Sequence, residues 1–591
     1  MKEFLERITE ETAAAFAALG YEKKHGAVTI SNRPDLCEFQ CNGAMALAKQ
    51  EKKNPLEIAE AVAGKLRENK DTVFSEVSAV RPGFLNFRVK EAFLAEYLGE
   101  MAASDRFGAP LAPEKKKMII DYGGPNVAKP LHVGHLRAAI IGESIKRICR
   151  FAGHEVIGDV HLGDWGLQMG LIITELHERK PSLPYFDPEF DGDYPEDAPF
   201  TIGELEEIYP TASARSKEDE AYKEAALLAT KELQEGRRGY RALFKHILAV
   251  SVADLKKNYQ DLNVEFDLWM GESDVQELIE PMARRLKEEG YAYESEGALV
   301  VDVAEEADTK EVPPCMILKS DGASLYTTTD LATLQWREDH EKPDHVVYVV
   351  DKRQEMHFTQ VFRCARKTGI VRPETELTFI GFGTMNGKDG KPFKTREGGV
   401  MRLADLIADI REEMKKKILD SGRGATEGEA GETAKLVALS ALKYGDLSNQ
   451  AEKNYIFDVD RFTSFEGNTG PYILYTIVRI KSILRKYRET GGTLEGARIL
   501  AASGEGEKEL MMKAARFPEM IRSAAADLSP HRICAYLYEL SDAFNHFYHE
   551  NRILAEEDEE KKKSYLALLV LVRDLAEQCI ELLGFSAPEE M

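Results

Sequence analysis

The chain opens on an amphipathic stretch, Met1-Lys2-Glu3-Phe4-Leu5-Glu6-Arg7, and returns to a helical period at Leu56, Ala59, Val62 and Leu66. Apolar residues three or four apart predict helices, whereas the alternation in Gly83-Phe84-Leu85-Asn86-Phe87-Arg88-Val89 predicts a strand. Residues 1 to about 110 therefore read as a separate α+β module. Its end is marked by Pro110-Leu111-Ala112-Pro113 and the charged run Glu114-Lys115-Lys116-Lys117.

The next segment, Met118-Ile119-Ile120-Asp121-Tyr122, is a short apolar strand broken by Gly123-Gly124-Pro125-Asn126. Beyond the break Leu136, Ile140, Ile141, Ile145 and Ile148 recur at helical spacing, so residues 132 to 135 fall at a helix N-terminus. Strand, turn and helix in that order open a Rossmann-like unit. Further apolar runs, 155–160, 345–350 and 377–382, alternate with helical stretches and predict a parallel sheet spanning about 114–390. Residues from roughly 178 to 300 read as an insertion into that sheet domain, with an acidic and aromatic loop at 185–191. A connecting segment, 391–435, leads to an all-helical C-terminal domain over 436–591. The expected fold class is thus α/β multidomain: a Rossmann-like sheet with an insertion, an N-terminal α+β module and a helical C-terminal domain.

Composition narrows the class. At 591 residues the chain exceeds a single compact core, and 43% hydrophobic with 30% charged residues is typical of globular proteins. No apolar run reaches the roughly 18 residues of a membrane helix, and the acidic start is unlike a secretory signal, so a cytoplasmic location is expected. The seven cysteines are scattered, with only Cys37 and Cys41 close together, which predicts buried thiols and no tightly bound metal. A formal charge of −24 excludes indiscriminate nucleic-acid binding, because phosphate affinity comes from clustered cations. Any RNA contact is then confined to local basic patches.

The most informative chemistry is His132-Val133-Gly134-His135. At a helix N-terminus, backbone N–H groups and the helix dipole favour phosphate. Gly134 lets a nucleotide approach the backbone, and two imidazoles supply donors to a phosphoryl oxygen. Carboxylate attack at an α-phosphorus needs such donors and no protein nucleophile.

The run from Asp121 to Arg137 resembles the signature of class I arginyl-tRNA synthetases. Four later segments agree in order: Gly163-Asp164-Trp165-Gly166 through Gln168, Ser324 to Ala332, Gln354-Glu355-Met356-His357, and Gly470-Pro471-Tyr472. The resemblance covers essentially the whole chain. It implies an arginine–tRNA ligase acting on L-arginine, ATP with Mg²⁺, and tRNA(Arg), with a contribution of tRNA before activation. A monomer is expected.

The second ATP loop of this family, a Lys-Met-Ser-Lys-Ser sequence, has an irregular counterpart in Gly387 to Arg396. Pro392 and Phe393 stand where Met and Ser are usual, so Lys391 and Lys394 are both candidates for the catalytic lysine. The resemblance implies that Lys129 supplies part of the missing charge. His132, Gly134, His135, Lys129, Lys391 and Lys394 are accordingly the expected ATP-handling residues.

A guanidinium is a planar cation with five donors, so its pocket needs carboxylates placed for paired hydrogen bonds. By resemblance Asp121 and Asp330 hold the substrate, and Asn126 and Gln354 contact its α-groups or side chain. Tyr326 and Asp330 share a face if their segment is helical. His161, Asp164, Trp165 and Gln168 are implied to line the same cleft. Lysine lacks the fork and citrulline lacks the charge, so both are excluded substrates.

For tRNA, the resemblance implies that the N-terminal module grips the outer corner of the molecule. Phe39, Gln40 and Asn42 are then the expected readers of an unpaired base, by stacking and edge hydrogen bonds. In the helical domain Arg479, Lys481, Arg485, Lys486 and Arg488, with Tyr487 among them, form a basic run in an otherwise acidic protein and are candidates for phosphate contact. Rival readings are a synthetase for another amino acid, a nucleotidyltransferase for a small metabolite, and a silent tRNA-binding relative.

Overall fold

A computed structural model describes residues 1–391, 401–420 and 426–591. Its centre is a wholly parallel sheet of five strands, Lys117–Tyr122, Glu155–Leu162, Leu268–Gly271, His345–Asp351 and Glu376–Phe382. Numbered along the chain, they lie across the sheet in the order 5-4-1-2-3. Ile119, Ile120, Val347 and Val349 are fully buried, as strands covered on both faces require. The order reverses between the first and fourth strands, and in such sheets ligands bind beyond the carboxyl ends of the strands at that switch point.

The strand Leu268–Gly271 corrects the expected extent of the insertion, because it belongs to the sheet although it lies inside 178–300. It is a four-residue edge strand, too short for a recognisable period. The inserted structure before it is mainly three helices, Ile202–Glu218, Glu220–Gln234 and Arg238–Asp261. After it come the helix Gln276–Glu288 and a small antiparallel sheet built from Tyr293–Ser295, Ala298–Val301 and Cys315–Leu318.

The N-terminal module is a four-stranded antiparallel sheet, Val28–Ile30, Phe39–Cys41, Phe84–Val89 and Phe74–Val80 in that spatial order, packed with helices that include Phe4–Ala18 and Pro55–Glu68. It docks on the C-terminal helices through Lys508, whose ammonium lies 2.8 Å from both Glu38 and Glu91. The C-terminal part is helical, with long elements at Gly470–Glu489, Pro530–Glu550 and Glu559–Leu582. Two details differ from expectation. The helix Glu427–Leu447 runs through position 436 without a break, and Tyr455–Ile456 pairs in parallel with Met385–Asn386, beside the sheet domain. All seven cysteines are buried free thiols.

Candidate active site

The turn after the first strand is shaped by glycine. Gly123 has φ +93°, and a Cβ there would meet the Phe266 ring and the Tyr259 hydroxyl at 3.0 Å. Asn126 then forms a bridge with Gly163, so close that a Cβ on residue 163 would lie 2.0 Å from Asn126 Oδ1. Two loops at the carboxyl edge of the sheet are thereby joined, and Gln168 closes the joint by donating to the Gly163 carbonyl.

His132 is the N-cap of the signature helix Val133–Phe151. Its Nδ1 accepts from the Gly134 N–H at 3.0 Å, while His135 Nδ1 accepts from the His132 N–H at 3.2 Å. Both Nδ1 atoms are therefore unprotonated acceptors, which leaves each Nε2 as a donor. Burial, then the charges of Lys129 and the neighbouring ring, pushes His135 down to about 3; burial and Lys129 lower His132 as well. Both rings are neutral near pH 7 and lie tilted at 35° to one another with centroids 3.9 Å apart. Two neutral donors on a helix N-terminus suit a phosphate whose charge must be stabilised without a proton being lost to it. Lys129 sits 4.6 Å from the Tyr209 ring, a contact that brings the inserted helix Ile202–Glu218 over the signature.

A cleft of about 1300 Å³ opens beside these groups, lined in part by Asn126, Lys129, Trp165, Gln168, Glu272 and Tyr326. Tyr326 begins the helix Tyr326–His340 and is 74% exposed. Asp330, one turn on, receives His357 Nε2 at 2.5 Å. The sequence did not single out Glu272, which follows directly on the short third strand, nor His357, whose segment was recognised only for Gln354. Burial, and after it the carboxylates Asp164 and Asp330, raises Glu272 to about 7, with the Trp165 backbone N–H the opposing influence. Glu272 in turn helps to raise the Tyr326 phenol. Glu272 thus feels the negative charge of Asp164 and Asp330 and lies near the Tyr326 phenol, an excess of negative charge that a guanidinium would relieve.

Asp164 has a different task from the one its motif suggests. It accepts from the Ser273 N–H at 2.9 Å and the Ser273 hydroxyl at 2.6 Å, which fixes the backbone of Glu272. Trp165 is 7% exposed and packs on Phe244 at 5.3 Å. Neither ring nitrogen of His161 has a hydrogen-bond partner among the described residues. Gln354 is exposed in the 3-10 turn Lys352–Gln354 at the end of the fourth strand.

Asp121 is buried, and its expected free carboxylate is already engaged. Arg337 donates to Asp121 and to Asp159 at 2.6 Å each, and to the Tyr348 hydroxyl at 3.0 Å. The guanidinium that Asp121 meets here is the protein's own, and the bond fastens the helix carrying Tyr326 and Asp330 to the sheet.

Lys391 is exposed in a turn closed by Gly387 N–H to its carbonyl at 2.8 Å. Lys394 lies outside the described residues. On the far side of that interval Met401 and Leu403 pair with Val133 and Leu131, so the chain returns onto the signature itself.

Two expectations for tRNA contact change. Phe39 is 3% exposed and packs against Phe4 at 6.0 Å, because strand alternation turns Phe39 and Cys41 inward; it is core and is not available to stack on a base. Gln40 is tied to Asn86 at 2.9 Å, and Asn42 is exposed. In the helical domain Lys481 pairs with Glu577 and Glu589 at 2.8 and 2.7 Å, and Arg485 with Glu590 at 2.5 Å, so the basic run is partly neutralised by the chain's own C-terminus. The Arg485–Glu590 pair is exposed and worth about 0–1 kcal/mol, which phosphate can displace, whereas Lys481 is largely enclosed. Arg479 lies between the Tyr475 and Tyr548 rings at 4.6 and 4.9 Å.

Three family models match the chain: "tRNA synthetases class I (R), catalytic domain" over 98–459, "DALR anticodon binding domain" over 473–591 and "Arginyl tRNA synthetase N terminal domain" over 2–89. Among curated relatives, the arginine–tRNA ligase of Agathobacter rectalis is 62% identical and that of Alkaliphilus oremlandii 55% identical, each over the full length of both chains. Among solved structures, the Plasmodium falciparum arginyl-tRNA synthetase aligns with TM-score 0.81 at 24% identity and the Thermus thermophilus enzyme with 0.77 at 23%, again over the full length of both, which is agreement in fold.

Proposed function

The chain belongs to the arginyl-tRNA synthetases, and from that premise we propose how its own residues divide the work. It is an arginine–tRNA ligase: the carboxylate of arginine attacks the α-phosphorus of ATP, pyrophosphate leaves, and a terminal ribose hydroxyl of tRNA then displaces AMP from the arginyl-adenylate.

His132 and His135 donate through Nε2 to the phosphoryl oxygens as charge builds at phosphorus, and remain neutral throughout. Lys129, with Lys391 or Lys394, neutralises the departing pyrophosphate, and Gly134, having no Cβ, leaves room for the His132 ring to lie against the helix N-terminus. Glu272 and Asp330 take the guanidinium of the substrate, with Tyr326 beside them, while Asn126 and Gln354 bind its α-groups. Asp121 acts through Arg337 by holding the Asp330 helix in place. Mg²⁺ arrives with ATP as part of the substrate, held mainly by its phosphates. Asn42, Gln40 and Arg479 contact tRNA, and the enzyme works as a cytoplasmic monomer, since one chain carries every group named.

The observation that carries the arginine assignment is Glu272 beside Tyr326 on the cleft wall, both raised first by burial and then by neighbouring charge, with Asp330 adding its negative charge at Glu272. Pyrophosphate release tests it: arginine should drive release by the unmutated enzyme, and His132→Ala and Glu272→Gln should each lower it at least about tenfold. Full activity in Glu272→Gln would remove Glu272 from the pocket.

A further inference from the structure

Arg137 follows His135 by two residues, and its side chain leaves the helix away from the imidazoles. It is 1% exposed, and its guanidinium joins three separate parts of the chain. Nε donates to Asp446 Oδ2 at 2.9 Å, on the helix Glu427–Leu447. Nη1 donates to the carbonyls of Gly383 at 2.6 Å and Lys453 at 3.1 Å. Gly383 is the first residue after the last sheet strand, and the chain continues through Met385–Asn386, paired with Tyr455–Ile456, into the turn that holds Lys391. The Tyr455 and Phe382 rings lie 5.0 and 5.8 Å from the guanidinium carbon. Gly383 approaches Asn454 so closely that a Cβ would stand 2.6 Å from its side-chain oxygen. Asp446 is fully buried, and Arg137 Nη2 and Asp446 Oδ1 have no hydrogen-bond partner among the described residues.

We infer that Arg137 and Asp446 are a positioning pair for ATP: they set the height of the lysine loop's base relative to the His132–His135 donors. The loop's return has its own tie to the same segment, because Met401 and Leu403 pair with Val133 and Leu131 through the main chain. The described residues on either side of the interval bearing Lys394 are thus both tied to the signature segment, Gly383 through Arg137 and Met401 and Leu403 through Val133 and Leu131. Positioning to within an ångström governs such a step, since a misplacement of that size is worth about a hundredfold in rate. The inference rests on the ligase reading above and names residues that touch neither substrate.

Arg137→Lys keeps a charge but loses the three-way fork, and Asp446→Asn keeps shape but loses the charge. ATP–pyrophosphate exchange with saturating tRNA should show KM for ATP raised about tenfold in both, with kcat reduced and KM for arginine within about twofold of the unmutated value. Arg147→Lys, on the same helix but ten residues further along and paired with Glu143, serves as the control and should leave both constants unchanged. Thermal unfolding identifies any variant that fails to fold, and the partner variant then carries the test. A parallel rise in KM for arginine and ATP, or unchanged constants in a folded variant, overturns the positioning role. Absence of exchange in the unmutated protein would instead overturn the ligase reading.

Discussion

Arginine binding should release a proton near neutral pH, and Glu272 should be its source. In the free protein this carboxyl stands at about 7, raised first by burial and then by Asp164 and Asp330. Because the shift is upward, the ionised group opposes folding: stability is lost as pH rises from the ordinary value of 4.5 towards 7, by up to about 3 kcal/mol at about 1.4 kcal/mol per unit. A bound guanidinium reverses the preference and draws the carboxyl down. If only the ionised form binds, the arginine dissociation constant should weaken about tenfold between pH 8 and pH 6, as the ionised fraction falls from about ten-elevenths to one-eleventh. Glu272→Gln should bind arginine about 10 to 150 times more weakly at pH 8, the worth of charge-assisted hydrogen bonds at about 1.5–3 kcal/mol, and should show no such slope. Calorimetric titration in two buffers of different ionisation enthalpy reads affinity and proton release together. An affinity flat from pH 6 to pH 8 in the unmutated protein, or the same slope in Glu272→Gln, would refute the reasoning.

Gly134→Ala should drive a methyl to within 2.8 Å of the His132 ring, rotate that ring off its cap and cut exchange about a hundredfold, as loss of one donor does; unchanged exchange would mean the His132 orientation is immaterial. Arg337→Met leaves Asp121 and Asp159 buried without their counterion and should cost about 3–5 kcal/mol in chemical denaturation. Phe39→Ala should lower stability by about 3–5 kcal/mol, whereas Asn42→Ala should leave the unfolding midpoint alone and raise KM for tRNA. Lys443 is wholly buried and lowered to about 7 by that burial, so from pH 7 to pH 9 it should make the fold more stable as pH rises, by up to about 1.4 kcal/mol per unit; Lys443→Met should remove that increment in pH-dependent melting.

The long elements were legible because each kept one period. The strand through Asp121 and the helix after His132 fell where their patterns placed them, with His132 at the helix N-terminus as the spacing implied; that its side chain caps the helix left no trace in the spacing. What stayed hidden shares a physical cause. Leu268–Gly271 carries four residues, too few to display a period, so Glu272 at its carboxyl edge had no strand to announce it. Phe39 sat in a polar-looking stretch whose alternation was too brief to reveal which side faced in. Long-range partners left no local trace: nothing near Asp121 shows that Arg337 will answer its charge, and nothing near Arg137 points to Asp446. Residues adjacent in sequence declared the proposed phosphate site; the proposed guanidinium site draws on segments that meet only in the fold.

Amino-acid-dependent exchange of pyrophosphate into ATP, run with arginine, lysine, citrulline and glutamine, with and without tRNA, tests the central claim most directly. Exchange should be supported by arginine alone and fall at least about a hundredfold in His132→Ala. Exchange with lysine or glutamine in place of arginine, or none with any of the four in the presence of tRNA, would contradict it.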